Sequence, residues 1–337
     1  AVNVESTTLD EWDALLPSSD IEPFHRAAAL RVLDAHAAGD LQLYAGFRGE
    51  QPVALFPAFV NETPVGRIVT SPPPGLLVPR LGPLLMPTSP KQRKREKLNV
   101  TFTDALVETL DLDAPTALFR TLTPVGYTDP RPFEWRGLSV TPEFTYRLAL
   151  EDRTVDDVHA SFSKSLRREL RDGADLPITV DVEPDAVETV RRDVADYYAE
   201  QDEPFGVTAD YARDLVEAMG DDARVYVARG PDGEYLTGIV VLYGGGSAYF
   251  WLGGTRATYD GTSVNTLVHD RIVRDVIEDP DLADVTAYDL VGANTERLCQ
   301  YKAKFGADLT PYYTVESAGA PIRVAKKVYG VVRGLRG

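Results

Sequence analysis

One order of elements, β-α-α-β-β-β-α-β-α-β, can be read twice along the 337 residues, and a chain that repeats a mixed α/β unit of this size has few folds open to it. The second copy is the sharper one. A strand over 178–182 leads to Pro184 and Asp185, which open a helix carrying Val187, Val190, Val194 and Tyr197 at helical spacing, with Glu188 at capping-box distance from Asp185. Thr208 opens a second helix with Tyr211, Leu215 and Met219 along one side. Strands over 224–229, 234–243 and 247–252 follow, joined by Gly-Pro-Asp-Gly and Gly-Gly-Gly turns. A helix over 262–277, a strand over 285–290, a helix over 294–304 stopped by Gly306 and a strand over 311–316 complete the unit. The first copy runs through a strand over 2–4, helices over 8–16 and 25–37, strands over 41–47, 51–60 and 67–70, a helix over 91–110, and strands over 117–121 and 144–150. A loop over 129–137 replaces its late helix. Length and repetition together predict a domain over 1–150 as a degenerate copy, a domain over 151–320, and a basic tail over 321–337.

Composition narrows the setting. Charged residues at 26 % and hydrophobic ones at 44 % describe a globular chain rather than a disordered one. A single cysteine, Cys299, allows no internal disulfide and argues against a thiolate zinc site, and no metal is expected. No run approaches the ~20 apolar residues of a membrane span, and the N-terminal stretch lacks a signal-peptide order, so the expected location is cytoplasmic. The net charge is −17, reached with 52 acidic and 35 basic residues. Asp dominates the acids and Lys is scarce, a balance suited to high intracellular salt, where carboxylates hold water and counterions screen their repulsion. Screening also means that the acidic balance does not exclude a tRNA partner; DNA is not expected.

Between the copies a helix is predicted over 156–172. Thr154 and Asp157 have capping-box spacing, Val158, Phe162, Leu166 and Leu170 form an apolar stripe, and Lys164, Arg167, Arg168 and Arg171 share the remaining face, with Gly173 as the stop. Such a cluster is either an ordinary amphipathic linker or a place where guanidinium forks capture phosphate. A second basic run, Lys91, Arg93, Lys94, Arg95 and Lys97, opens a helix without a Gly-rich turn and reads as a solvated face.

The element order resembles the GNAT acyltransferase fold, and two copies in tandem resemble the FemAB branch, whose relatives move amino acids from aminoacyl-tRNA onto cell-wall precursors. Particular stretches carry the likeness: Arg131-Pro132-Phe133-x-Trp135 with Thr145-Tyr146 before the linker, the basic stretch Ser163 to Leu170, and Tyr288-Asp289-Leu290-x-Gly292-Ala293 followed by Leu298-x-x-Tyr301-Lys302-x-x-Phe305-Gly306. The resemblance implies an α/β chain of two GNAT-like domains, mixed sheets flanked by helices, with Lys302 as the cation beside a tetrahedral intermediate or a substrate phosphate. The other reading of Lys302 and Lys304 is a solvated helix end.

Further candidates follow from position. Gly253, Gly254 and Thr255, with Thr262 and Ser263, lie between a strand and a helix, where such a fold cradles a donor pyrophosphate on backbone N–H groups. The Arg/Gln-x-x-Gly-x-Gly/Ala signature of acetyl-CoA enzymes is not intact, which leaves aminoacyl-tRNA, acyl-CoA or another activated donor open. Asn265, Trp251, Tyr301 and Phe305, together with Lys164, Arg167 and Arg168, are the expected substrate contacts. Asp289 ends a strand, as a proton acceptor or as a turn residue, and the four histidines, His25, His36, His159 and His269, form no catalytic pattern. The expected activity is transfer of an acyl or aminoacyl group to a primary amine, small or lipid-linked, with no bound cofactor. The alternatives are an acyl-CoA-dependent N-acyltransferase and a catalytically silent binder of phosphate ligands. The basic tail, Arg323 to Arg336, is either frayed or a peripheral contact with the inner face of a membrane.

Overall fold

A computed structural model describes residues 2–17, 21–64 and 66–318. The first half runs β1 (Asn3–Thr7), α1 (Leu9–Leu15), α2 (Ala27–His36), β2 (Asp40–Arg48), β3 (Gln51–Thr63), β4 (Gly66–Ser71), β5 (Leu84–Leu85), α3 (Gln92–Thr109), β6 (Ala117–Leu122), α4 (Arg131–Trp135) and β7 (Ser139–Ala149). The second runs α5 (Val155–Ser161), α6 (Lys164–Gly173), β8 (Thr179–Val182), α7 (Val187–Glu200), α8 (Ala209–Met219), β9 (Ala223–Arg229), β10 (Tyr235–Gly244) and β11 (Ser247–Gly253). It continues through β12 (Thr258–Tyr259), β13 (Thr262–Ser263), α9 (Val264–Glu278), β14 (Ala287–Asp289), α10 (Glu296–Lys302) and β15 (Asp308–Glu316). The basic tail over 321–337 lies outside the described residues.

The two halves repeat the same pairing. β1, β2, β3 and β4 are antiparallel neighbours and β4 is parallel to β6; β8, β9, β10 and β11 are antiparallel neighbours and β11 is parallel to β14. The sheet does not divide at residue 150. β7, last of the first half, pairs with β14, while β15, last of the second, pairs with β6 and β7. The resulting path is β1-β2-β3-β4-β6-β15-β7-β14-β11-β10-β9-β8, with β5 attached to β3. Each half thus borrows a strand from the other, and the shared β15–β7 ladder of nine pairs, Asp308–Arg147 to Glu316–Ser139, locks them together.

Three buried clusters fill the layers. One draws on both halves, joining Trp12, Leu30 and Leu33 of α1 and α2 to Val190, Tyr211 and Leu215 of α7 and α8. The others lie under α3 in the first half, around Phe102 and Phe119, and under α5, α6 and α9 in the second, around Leu166, Val268 and Ile272.

Local departures from the sequence reading have local causes. The linker over 156–172 is two helices, because Phe162 turns inward in an extended conformation and Ser163 restarts the chain, its Oγ accepting from Leu166 N at 3.2 Å. Asp185 builds no capping box; a short 3₁₀ turn over Pro184–Ala186 precedes α7 instead. The expected loop over 129–137 contains α4, pinned by Phe133, which is fully buried and stacks on Phe119 at 6.1 Å. In the first half, the chain between β4 and α3 lies across the ends of β4 and β6: Leu81 N donates to Leu122 O at 3.1 Å and Gly82 N to Ser71 Oγ at 3.0 Å. Only glycine fits at 82, where φ is +49° and an added Cβ would stand 2.8 Å from Leu122 O.

Candidate active site

Among the described residues no such backbone bonds bridge the matching ends of β11 and β14. Their parallel ladder has three pairs, Ser247–Ala287 to Tyr249–Asp289, and stops. β11 continues to Gly253 beside β10, but the β10 register jumps from Val240–Leu252 to Val241–Phe250, leaving Trp251 as the extra residue of a bulge. After β14 the chain turns away through Val291 and Gly292, both left-handed, with φ of +45° and +69°. The hydrogen-bonded ladder therefore has a gap here, between a bulged strand and a turn.

Lys302 reaches this gap from the end of α10. Its Nζ donates to the carbonyl oxygens of Val291 and of Gly292, the latter at 2.9 Å, and stands 5.6 Å from the centre of the Phe250 ring. It is 6 % exposed, so the solvated-helix-end reading does not hold for it. Burial lowers its pKa to about 8, against the opposing pull of the Asp289 carboxylate. Beside it His269, also buried, exchanges a 2.9 Å hydrogen bond with the Tyr288 hydroxyl and packs 4.9 Å from the Phe305 ring. Burial, then the Lys302 charge, push its pKa down to about 3, so it is neutral.

At the last rung before the gap lies a buried ion cluster that the sequence did not announce. Arg80 comes from the plug segment of the first half and is 1 % exposed. Its Nη2 donates to Asp289 Oδ2 at 2.6 Å and to Glu22 Oε2 at 3.1 Å, and its Nε donates to Glu22 Oε1 at 3.1 Å. The guanidinium lies between the rings of Tyr249 and Tyr312, 5.0 and 5.2 Å from their centres. Burial works to raise the pKa of Glu22, but the Arg80 charge, with help from His25, holds it below the ordinary value. Asp289 Oδ1 accepts from Thr145 Oγ1 at 2.6 Å and from Val291 N at 2.9 Å. With these bonds made, Asp289 is a positioning residue that holds the Val291 turn, not a free proton acceptor.

The residues expected to cradle a donor lie together and are bonded to one another. The β12–β13 hairpin folds Gly253, Gly254 and Thr255 back onto the start of α9, where Thr262 and Ser263 lead in. Asn265 Nδ2 donates to the carbonyls of Gly254 at 2.9 Å and Thr255 at 2.6 Å, while its Oδ1 accepts from Thr237 at 3.0 Å. Asn265 is thus a clasp for that loop rather than a substrate contact. Trp251 is also corrected: 5 % exposed, it donates from Nε1 to Leu77 O at 3.1 Å and meets Phe24 and Tyr211 edge-on in the shared core. Phe305 is likewise core, packed against Phe162, while Tyr301 is half-buried, 6.2 Å from His269.

The basic helix lies at the site's edge. Ser163 N donates to Lys304 O at 2.7 Å, which seats the start of α6 against the end of α10, and Glu169 accepts from Thr266 at 2.7 Å in the first turn of α9. Lys164, Arg167, Arg168 and Arg171 are exposed along this helix; Arg168 pairs with Asp172 at 3.2 Å. Of the residues missed in the sequence, Arg80 and Glu22 carried no local signal, whereas His269 sat visibly on the apolar stripe of α9 between Val268 and Ile272. Among the described residues no three His, Cys, Asp or Glu side chains gather as a metal site, and no helix is long and apolar enough to cross a membrane.

The family described as an acetyltransferase (GNAT) domain matches residues 160–303, a span that holds α6, the gap and Lys302. No curated protein matches the sequence. Among solved structures, that of FemX superposes with a TM-score of 0.65 at 12 % identity, covering 92 % of this chain and 96 % of that one. A tandem GNAT protein from the clavulanic acid biosynthesis pathway gives 0.52 at 12 % identity, covering 95 % and 100 %. L-PGS from Bacillus licheniformis gives 0.53 at 12 % identity, covering 95 % of each chain. The fold is a tandem GNAT fold like that of FemX, and residues 160–303 are the part that matches the GNAT acetyltransferase family.

Proposed function

We propose that this tandem GNAT-fold acyltransferase moves an acyl or aminoacyl group from an activated donor onto a primary amine in the gap between the ends of β11 and β14. The observation that carries this is Lys302, buried and held by two carbonyls of the turn that forms one wall of the gap, opposite the bulge of β11. The acceptor nitrogen attacks the donor carbonyl, a C–N bond forms, the C–O or C–S bond to the leaving group breaks, and that group takes up a proton. Negative charge developing on the carbonyl oxygen meets the Lys302 ammonium and the N–H groups of the interrupted ladder. The donor is an aminoacyl-tRNA or an acyl-CoA, whose phosphates would run along Lys164, Arg167 and Arg168 of α6. The plug across β4 and β6 in the first half supports one reaction centre rather than two.

The acceptor is a small or lipid-linked amine, by analogy with structural neighbours such as FemX and L-PGS. A salt-rich cytoplasm is supported by the Asp-rich, Lys-poor composition and the single cysteine. Thermal stabilisation in high salt tests the donor directly, with acetyl-CoA, longer acyl-CoAs, aminoacyl-tRNA and nucleotide sugars as the panel. A shift with CoA species assigns an acyl-CoA donor, and a shift with aminoacyl-tRNA alone an aminoacyl donor. No shift with any of them overturns acyl transfer from these donors.

A further inference from the structure

At the seam between the halves a half-enclosed cavity of about 250 Å³ lies against the Arg80 cluster, lined by Glu22, Asp289, Arg147 and Ser247 and by the chain at Gly126 and Gly245. It has room for several waters or one small molecule. Its lining is polar and carries both signs, with the carboxylates of Glu22 and Asp289 on one side, the guanidinium of Arg147 on the other, and Arg80 paired to both carboxylates from outside the lining. A lone anion or cation entering here would leave an unbalanced charge in a desolvated place, whereas a zwitterion would not.

The hydrogen bonds give the two ends different characters. Arg147 Nη2 donates to Ser247 Oγ at 2.9 Å, which leaves the serine hydroxyl hydrogen free, and Arg147 Nε is buried with no partner among the described residues. Two donors therefore stand together, as a carboxylate requires. At the other end Glu22 Oε2 and Asp289 Oδ2 both accept from the single nitrogen Arg80 Nη2, at 3.1 and 2.6 Å, so two carboxylates share one guanidinium and this end keeps a net negative charge. That is a seat for an ammonium group. Val291 connects this seat with the gap, its N–H donating to Asp289 and its carbonyl accepting from Lys302.

We infer that the cavity binds a free α-amino acid, carboxylate toward Arg147 and Ser247 and ammonium toward Glu22 and Asp289. Resting on the acyl-transfer reading, this amino acid is the acceptor. Its α-amine loses a proton to solvent and forms the new N–C bond, the donor's C–S or C–O bond breaks, and the leaving group is protonated.

Calorimetric titration of the whole chain without any donor tests the binding claim. Glycine, alanine, glutamate and lysine are the ligands, and N-acetylalanine and alanine methyl ester are the half-ligands that lack one charge. At least one free amino acid is expected to bind saturably, with both half-ligands weaker by about tenfold or more, or 1.4 kcal/mol. Arg147→Gln is expected to abolish binding, and Ser247→Ala, the safer variant for folding, to weaken it. No binding by any free amino acid, equal binding of the half-ligands, or unchanged binding in both variants overturns the proposal. Transfer is measured separately, by mass spectrometry of the N-acylated amino acid. Binding without transfer overturns the acceptor role alone, and failure of the donor panel with binding intact overturns the acyl-transfer reading but not the cavity.

Discussion

Arg80 Nη2 lies 2.6 Å from Asp289 Oδ2, two residues 209 positions apart and contributed by different halves of the chain. Both side chains are almost wholly buried. Removing one partner of such a pair leaves the other charged and desolvated, which costs far more than the pair contributes. Arg80→Met is expected to lower stability by about 3–5 kcal/mol. Arg80→Lys does not restore it, because an ammonium cannot reproduce the fork onto Glu22 and Asp289. Urea unfolding midpoints at an unchanged m-value check both.

Lys302 sits in the fold at a cost, since burial lowers its pKa from 10.5 to about 8. At pH 7 the unfolded chain accommodates its charge more easily than the folded one, so its contribution to stability rises only as pH climbs from about 8 toward 10.5. Lys302→Met is therefore expected to be at least as stable as the parent at pH 7 while turnover falls by about 10²- to 10³-fold, the loss typical of one oxyanion-stabilising group. In the parent protein kcat is expected to decline as pH rises through about 8, and Lys302→Arg is expected to move that alkaline limb upward. An alkaline limb unmoved by Lys302→Arg would remove Lys302 from the chemistry.

His269 predicts an effect of the same sense in pH, displaced to the acid side. Its folded pKa is about 3 against 6.5 unfolded, because burial disfavours the imidazolium. Its full stability is present above 6.5 and is lost as pH falls toward 3, with a limiting slope of about 1.4 kcal/mol per pH unit. His269→Phe keeps the aromatic packing and removes this slope from the difference between the two proteins. Thermal melts at pH 7, 6, 5 and 4 read it directly.

The exposed cations of α6 behave in the reverse way, with little bearing on stability and much on binding. The double variant Arg167→Ala, Arg168→Ala is expected to melt within about 0.5 kcal/mol of the parent. If donor phosphates lie along this helix, KM for the donor rises and becomes less dependent on salt, while kcat is retained. An unchanged KM with every active donor would leave α6 as a linker only.

Trp251 separates core from contact. Truncation to Ala is expected to cost about 3–5 kcal/mol, as for other buried aromatics, and to weaken the ladder around the bulge. A stable Trp251→Ala protein with only a raised KM would return the residue to the substrate side.

The element order was legible because helical stripes such as Val187, Val190 and Val194 and the turn residues around Gly244-Gly245-Gly246 are local signals. Lys302 was legible through the Tyr301-Lys302-x-x-Phe305-Gly306 spacing, and its burial was not, because Val291 and Gly292 bend their carbonyls toward it through left-handed backbone that Gly292 permits but that a valine at 291 does not announce. Trp251, Asn265 and Phe305 were misread for one reason: polar or aromatic residues beside a glycine-rich stretch resemble ligand contacts until their partners, Leu77, Gly254 and Phe162, are seen. The Arg80 cluster and the exchange of β7 and β15 are long-range facts. A strand's own residues set which of its faces is buried but not which strand lies beside it.

The exchange has a bearing on how the chain is made. While the ribosome has released only the first half, β6 has no neighbour on its inner side, because that place belongs to Asp308–Glu316. The nascent domain waits with an open sheet edge, a surface inviting wrong partners, until almost the whole chain has emerged. Folding must then close ladders between residues nearly 200 apart, such as Leu122 with Thr314, which makes it slow relative to a pair of independent units. The two halves are consequently born as one object, and cutting the chain at residue 150 would yield two fragments that each lack a strand.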